Sequence, residues 1–213
     1  MDGGAEAHLS CFATIITRFT YYIVLFGRFV SEIFRNFAPK FLHMLQFISD
    51  SEHYTTVLDV ISRAKHTLWL GTADIKDLYI MKDKTDMPLL GLISDLIKRG
   101  VEVRLLHAKE PGPNFREDFD KYPLLVSRLE RCLCPRVHFK IILIDSTFAY
   151  VGSANLTGAG MGMKSPYRRN FEAGVFTDNE ELVDAAIEEF DKVWRGEMCK
   201  KCQRRDFCGD PIA

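Results

Sequence analysis

Net charge is almost absent from this 213-residue chain: 28 Lys and Arg stand against 29 Asp and Glu, leaving −1 at pH 7. That balance does not advertise a nucleic-acid binder, nor does it exclude one, because local charge outweighs the total. No cleavable signal peptide is expected, since Asp2 and Glu6 stand where a basic leader region would. There are no internal repeats and no low-complexity segments, and 47% hydrophobic residues make disorder the wrong default. Nor is there a comfortable transmembrane run. Leu9 to Gly27 approaches the needed length, but Arg18 interrupts it, and Arg28, Glu32 and Arg35 follow. What remains is a chain long enough for one well-cored domain. Its expected place is the cytoplasm, with peripheral membrane contact left open.

The first 37 residues carry a different pattern. Phe12, Ile16, Phe19, Ile23, Phe26, Val30, Ile33 and Phe37 alternate steps of four and three, a heptad seam that predicts an amphipathic helix. Pro39 ends or kinks it at Ala38. Three roles are open for this helix: packing on its own domain or a partner subunit, lying in a membrane interface, or anchoring. Beyond it, a helix is expected over Glu52 to Ala64, capped by Ser51 or Asp50. His66 to Thr72 then reads as a buried strand, Pro88 to Arg99 as an amphipathic helix stopped by Gly100, and Val101 to Leu106 as the next strand. A helical stretch to about Leu129 should break at Pro123. A strand over Phe171 to Phe176 and a closing helix over Glu180 to Trp194 complete the pattern. Strand–helix alternation predicts an α/β fold: a layered mixed sheet flanked by helices. The expected parts are an N-terminal amphipathic helical segment (1–50), a catalytic domain (51–196) and a cysteine-rich tail (197–213).

The densest chemistry lies in Val137-His138-Phe139-Lys140-Ile141-Ile142-Leu143-Ile144-Asp145, followed by Gly152-Ser153-Ala154-Asn155. On a strand, His138 and Lys140 would share a face, because side chains alternate. The run ends in an acid, turns through Ser146 and Thr147, and returns into Gly-Ser-x-Asn. One imidazole, one ammonium, one hydroxyl and one carboxamide thus meet at one sheet end. That set suits attack on a phosphodiester: a nucleophile, a cation for the phosphoryl oxygens, and two neutral hydrogen-bonding groups. Arg131, Arg136, Lys164, Arg168 and Arg169 fall nearby in sequence, so a basic mouth is expected on a nearly neutral protein.

The pattern H-x-K-x4-D-x6-G-S-x-N resembles the phospholipase D superfamily, with every spacing kept, and the likeness spans roughly Tyr54 to Trp194. This resemblance implies a phospholipase D-like fold and a metal-independent phosphodiesterase working through a phosphohistidine. Enzymes of the superfamily use two such motifs, and only one stands here. A homodimer with both His138 residues at one phosphate is therefore expected. His138 would act as nucleophile and as general acid/base, and Lys140 and Asn155 would bind the equatorial oxygens. Ser153 would hydrogen-bond nearby. Glu172 stands where the family carries a carboxylate that orients the imidazole, and Asp145 is expected to brace the turn between the motif strands. Gly152, Lys164, Arg168 and Arg169 are candidate substrate contacts, and the loop Gly158 to Lys164 is glycine-dense enough to present N–H groups to a phosphate backbone.

Cysteines supply the last signal. Cys199-x2-Cys202-x5-Cys208 needs a fourth ligand for a tetrahedral site, and Cys134 or Cys132 lies just upstream of His138. The arrangement resembles a structural zinc knuckle, or the [4Fe–4S] staple of some nucleases; ligand type and spacing do not separate them. Three functions are carried forward. The first is a dimeric nuclease, the second a membrane-associated lipid phosphodiesterase or phosphatidyl transferase, and the third a non-catalytic nucleic-acid-binding dimer.

Overall fold

The computed structural model describes residues 43–209, apart from 77, 83 and 84. The heptad helix and Cys11 lie outside the described residues. Within them, a seven-stranded mixed sheet is ordered β1-β11-β9-β8-β2-β6-β7. Its members are β1 (Leu45–Ser49), β2 (Thr67–Thr72), β6 (Glu102–His107), β7 (Glu130–Leu133), β8 (Lys140–Ile144), β9 (Phe148–Gly152) and β11 (Ala173–Thr177). β2, β6 and β7 run parallel, and every other neighbouring pair is antiparallel. Two small pairs stand apart, β3 (Ile75–Lys76) with β10 (Leu156–Thr157), and the hairpin β4 (Tyr79–Lys82) with β5 (Thr85–Pro88).

Both faces of the sheet are covered, which explains the continuous apolar run of β8. Ile142 and Ile144 enter one core with Leu68, Leu70, Val103 and Leu105, while Ile141 and Leu143 enter a second core on the opposite face. The first core is closed by α1 (Leu58–Ser62), α2 (Leu89–Lys98) and α4 (Pro123–Arg128); α3 (Pro113–Asp120) adds Phe115. The second is closed by α5 (Glu180–Trp194), whose Val183, Ala186 and Phe190 recur at helical spacing and are buried. Asn179 caps α5, its side-chain oxygen accepting from the Leu182 N–H at 3.0 Å. Phe190 stacks on Trp69 of β2, and the Arg104 guanidinium lies 4.6 Å from the centre of the Trp69 ring and 3.6 Å from Asp191. Each fully buried apolar side chain here contributes about 1.5–3 kcal/mol.

Several expectations are revised. Leu45–Ser49, assigned on sequence to the N-terminal helical segment, is instead an edge strand paired with β11. The helix after it opens as a π-helical turn, His53–Val57, and its start is held by the Ser51 carbonyl rather than by a capping side chain. The break at Pro123 occurs as expected, between α3 and α4. β7, the β4–β5 hairpin and β3–β10 have no counterpart in the sequence reading, being too short for a periodicity to register.

Asp145, counted on sequence with the catalytic set and expected to brace the turn between the motif strands, ties that turn to the chain entering β2. It follows β8, takes φ +53°, and accepts the N–H groups of Lys65, His66 and Thr67 at 2.7–3.1 Å. Partial burial opposes its charge, but those backbone donors outweigh it and hold its pKa below the ordinary carboxylate value. Asp145→Ala is expected to cost about 1–2 kcal/mol near neutral pH by leaving the N–H groups to water. Because the pKa is lowered in the fold, this stability is present above the unfolded carboxylate's pKa and fades as pH falls through the folded value. Urea unfolding of both proteins should therefore differ at pH 7 and converge in acid. A constant difference down to about pH 2 would contradict the assignment.

Candidate active site

One end of the sheet gathers the motif residues. β2, β6 and β9 finish there, and the antiparallel β8 and β11 begin there. Lys140, the first residue of β8, pairs with Gly152 of β9, which pairs with Gly174 of β11. A Cβ on Gly152 would sit 2.7 Å from the Ala173 carbonyl, and one on Gly174 would sit 2.5 Å from the Tyr150 ring. Close approach of three strands over that buried ring is what these glycines permit. The floor continues to His53, fully buried and edge-on to Tyr150 at 5.4 Å. Burial lowers the His53 pKa.

His138 precedes β8 instead of lying on it, and it is exposed while Lys140 is 7% exposed. The two do not share a strand face. They are joined differently: Lys140 Nζ donates to the His138 carbonyl oxygen at 2.7 Å. The His138 ring has no hydrogen-bond partner among the described residues, which leaves it open to solvent. Asn155 is oriented through its side-chain oxygen, which accepts the Asp74 N–H at 3.2 Å and lies 3.2 Å from the Thr72 hydroxyl. That hydroxyl lies nearer the Asp74 carbonyl, at 2.8 Å, and accepts the Leu156 N–H at 3.2 Å. Its single proton therefore goes to Asp74, and the Asn155 amide N–H groups remain for a ligand.

Glu172 does not contact His138. Its carboxylate takes a hydrogen bond from Ser153 Oγ and another, at 3.0 Å, from the Asn170 amide. Ser153 Oγ in turn accepts the Ala173 N–H at 3.0 Å. The reason is local: Ser153 follows β9 and Glu172 precedes its partner β11, so the hydroxyl is the carboxylate's adjacent donor. Asp145 lies at the far end of β8 from Lys140, on the order of 16 Å away along the strand. It belongs with the fold and not with the reacting groups.

The side chains expected to form a basic mouth differ in their partners. Arg131 is spent on Glu110 at 2.8 Å. Lys164, Arg168 and Arg169 make no ion pair among the described residues, and the loop bearing them is closed by the Asn170 N–H on the Ala159 carbonyl at 3.1 Å. Tyr167 and Phe171 flank them, 99% and 98% exposed. Thr72, Asp74, Tyr150 and Asn170 are contributors that the sequence reading did not assign. Only the position of Thr72 and Asp74 at the end of a predicted strand hinted at them. The four cysteines are brought to one region, Cys134, Cys199 and Cys202 around a single cavity and Cys208 against Leu133. As they stand, no three His, Cys, Asp or Glu side chains among the described residues are close enough to hold a metal ion.

A family model described as cardiolipin synthase, PLD-like domain, matches residues 57–194. The chain belongs to the phospholipase D-like domain family. Its superfamily relatives are phosphodiesterases and phosphotransferases. No curated protein sequence matches the chain. Among solved structures, NucT from Helicobacter pylori is similar at 16% identity and a TM-score of 0.55, the match covering 72% of this chain and 96% of that one. Nuc from Salmonella typhimurium, a phospholipase D family member, is similar at 20% identity and 0.54, over 72% of this chain and 95% of that one. Phosphatidylserine synthase from Haemophilus influenzae Rd KW20 is similar at 14% identity and 0.51, over 72% of this chain but 38% of that one. At these identities the likeness is one of fold. No helix among the described residues is long and apolar enough to cross a membrane.

Proposed function

We propose that this protein is a phosphodiesterase acting on nucleic-acid strands, working as a homodimer that joins two His138 residues at one phosphate. The observation that carries this reading is the tie between Lys140 and His138. A nearly buried ammonium is fixed on the backbone of an exposed imidazole, beside an oriented carboxamide. One His138 attacks phosphorus and displaces the strand's oxygen, which takes its proton from the partner subunit's His138. That second imidazole then removes a proton from water, and the resulting hydroxide releases the phosphate and restores the first. Lys140 and Asn155 stabilise the charge that develops on the non-bridging oxygens. Ser153, Glu172 and Asn170 stiffen the junction of β9 and β11 beneath them.

A nucleic-acid substrate is supported by the chain's own surface. Lys164, Arg168 and Arg169 make no ion pair among the described residues and can meet phosphates, and the exposed Tyr167 and Phe171 rings can stack on bases. A second reading, hydrolysis or transfer of phosphatidyl groups, is favoured by the family model's description and by the phosphatidylserine synthase likeness. Purified protein assayed with EDTA on labelled single-stranded DNA, RNA and phosphatidyl vesicles decides between them. Cleavage of nucleic acid is expected, with no prompt loss on adding EDTA. Exchanging both Arg168 and Arg169 for Ala should reduce the salt slope of strand binding by about two. Turnover of the vesicles alone would select the lipid reading.

A further inference from the structure

We propose that Cys134, Cys199, Cys202 and Cys208 hold a thiolate-bound metal centre that fastens the C-terminal tail to the turn carrying His138. The tail itself is the first observation. From residue 197 to 209 the chain forms only short 3-10 turns, and every residue is exposed except Cys199, Cys202 and Cys208. Its two large apolar side chains face water, Met198 at 50% and Phe207 at 71% exposure. Such a segment buries too little to repay the entropy of ordering it. The three residues turned inward are the three best soft-metal ligands it contains.

Their destination is the second observation. Cys199 and Cys202 line a cavity of about 170 Å³ together with Cys134, which comes from a distant part of the sequence. Cys208 lies outside the cavity lining but approaches the end of β7 just before the turn that carries His138, its Sγ 3.8 Å from the Leu133 carbonyl. All five described cysteines are free thiols, so no disulfide does this work. Arg136 and Lys192 line the same cavity, and Arg136 Nη1 is 4.0 Å from Cys202 Sγ.

Cys134, Cys199 and Cys202 line the space without closing on a point, and rotation about χ1 lets each Sγ move by roughly 3 Å. A zinc ion would draw them in, whereas a cluster would fill more of the gap as it stands. Either would fix Cys134, whose N–H donates to the His107 carbonyl at 2.9 Å and whose carbonyl accepts the Val137 N–H at 3.0 Å. The metal thereby sets the approach of the chain to His138 without entering the reaction.

The full chain, purified without oxygen, is analysed for zinc, iron and acid-labile sulfide. About one zinc per chain, or about four iron with matching sulfide, is expected and identifies the centre. Cys134→Ser and Cys202→Ser should each lose most of it, because both line the cavity, whereas Cys132→Ser, on β7 and outside that lining, keeps it. Stripping the metal from wild type should lower its Tm by about 5–10 °C, a measurement that does not depend on any variant folding. Wild type that carries neither metal, and that takes up neither zinc nor iron with sulfide after reduction, overturns the proposal. So does a Cys134→Ser protein that keeps its full metal content.

Discussion

His138→Ala is expected to abolish phosphodiester turnover, by about four to six orders of magnitude, the scale seen when a catalytic nucleophile is removed. Two roles vanish at once, because each imidazole of the pair is either the attacking group or the proton donor. The fold should survive. His138 is exposed, lies outside β8, and its ring bonds to no other described residue, so its removal opens no cavity and orphans no partner. The Lys140 ammonium binds the backbone carbonyl of residue 138, a bond that alanine preserves. Thermal unfolding should therefore match wild type within about 1 °C while single-turnover cleavage disappears. Near-wild-type turnover by this variant would remove the phosphohistidine mechanism altogether.

The shared site makes an equally large prediction about mixtures. If each centre needs two chains, a heterodimer of wild type with His138→Ala has one imidazole and is inactive. Equal amounts mixed under exchange should show about a quarter of the activity of the same total of wild type, instead of about half. Growing excess of the variant should suppress activity further, while a variant carrying a disrupted dimer contact should not. Ultracentrifugation supplies the independent check. A monomeric species with full activity at assay concentration would show that one His138 suffices, and the second proton-transfer group would have to be sought within one chain.

Lys140 illustrates how chemistry can be legible while its geometry is not. Its spacing from His138 marked the pair, and the pair is indeed at one sheet end. Alternation on a strand suggested that both point the same way, yet β8 starts only at Lys140. What joins them is a side chain folded back onto a carbonyl, a contact that no periodicity encodes. Glu172 is similar. Its type and place in sequence identified it, but its partners, Ser153 and Asn170, follow from β9 lying beside β11.

The sequence by itself determined the alternation of strands and helices, the break at Pro123, and the set of groups available for phosphoryl chemistry. These are local properties: they depend on side-chain period, on backbone restrictions and on functional-group type within a few residues. Only the tertiary structure decided that Leu45–Ser49 closes one edge of the sheet, that the Tyr150 ring underlies Gly152 and Gly174, and that Thr72 and Asp74 orient Asn155. It also decided that Cys134 meets the cysteines of the tail. Each of those depends on which strands become neighbours. That order is selected by burying two apolar faces at once, a property of the whole sheet that no single segment carries.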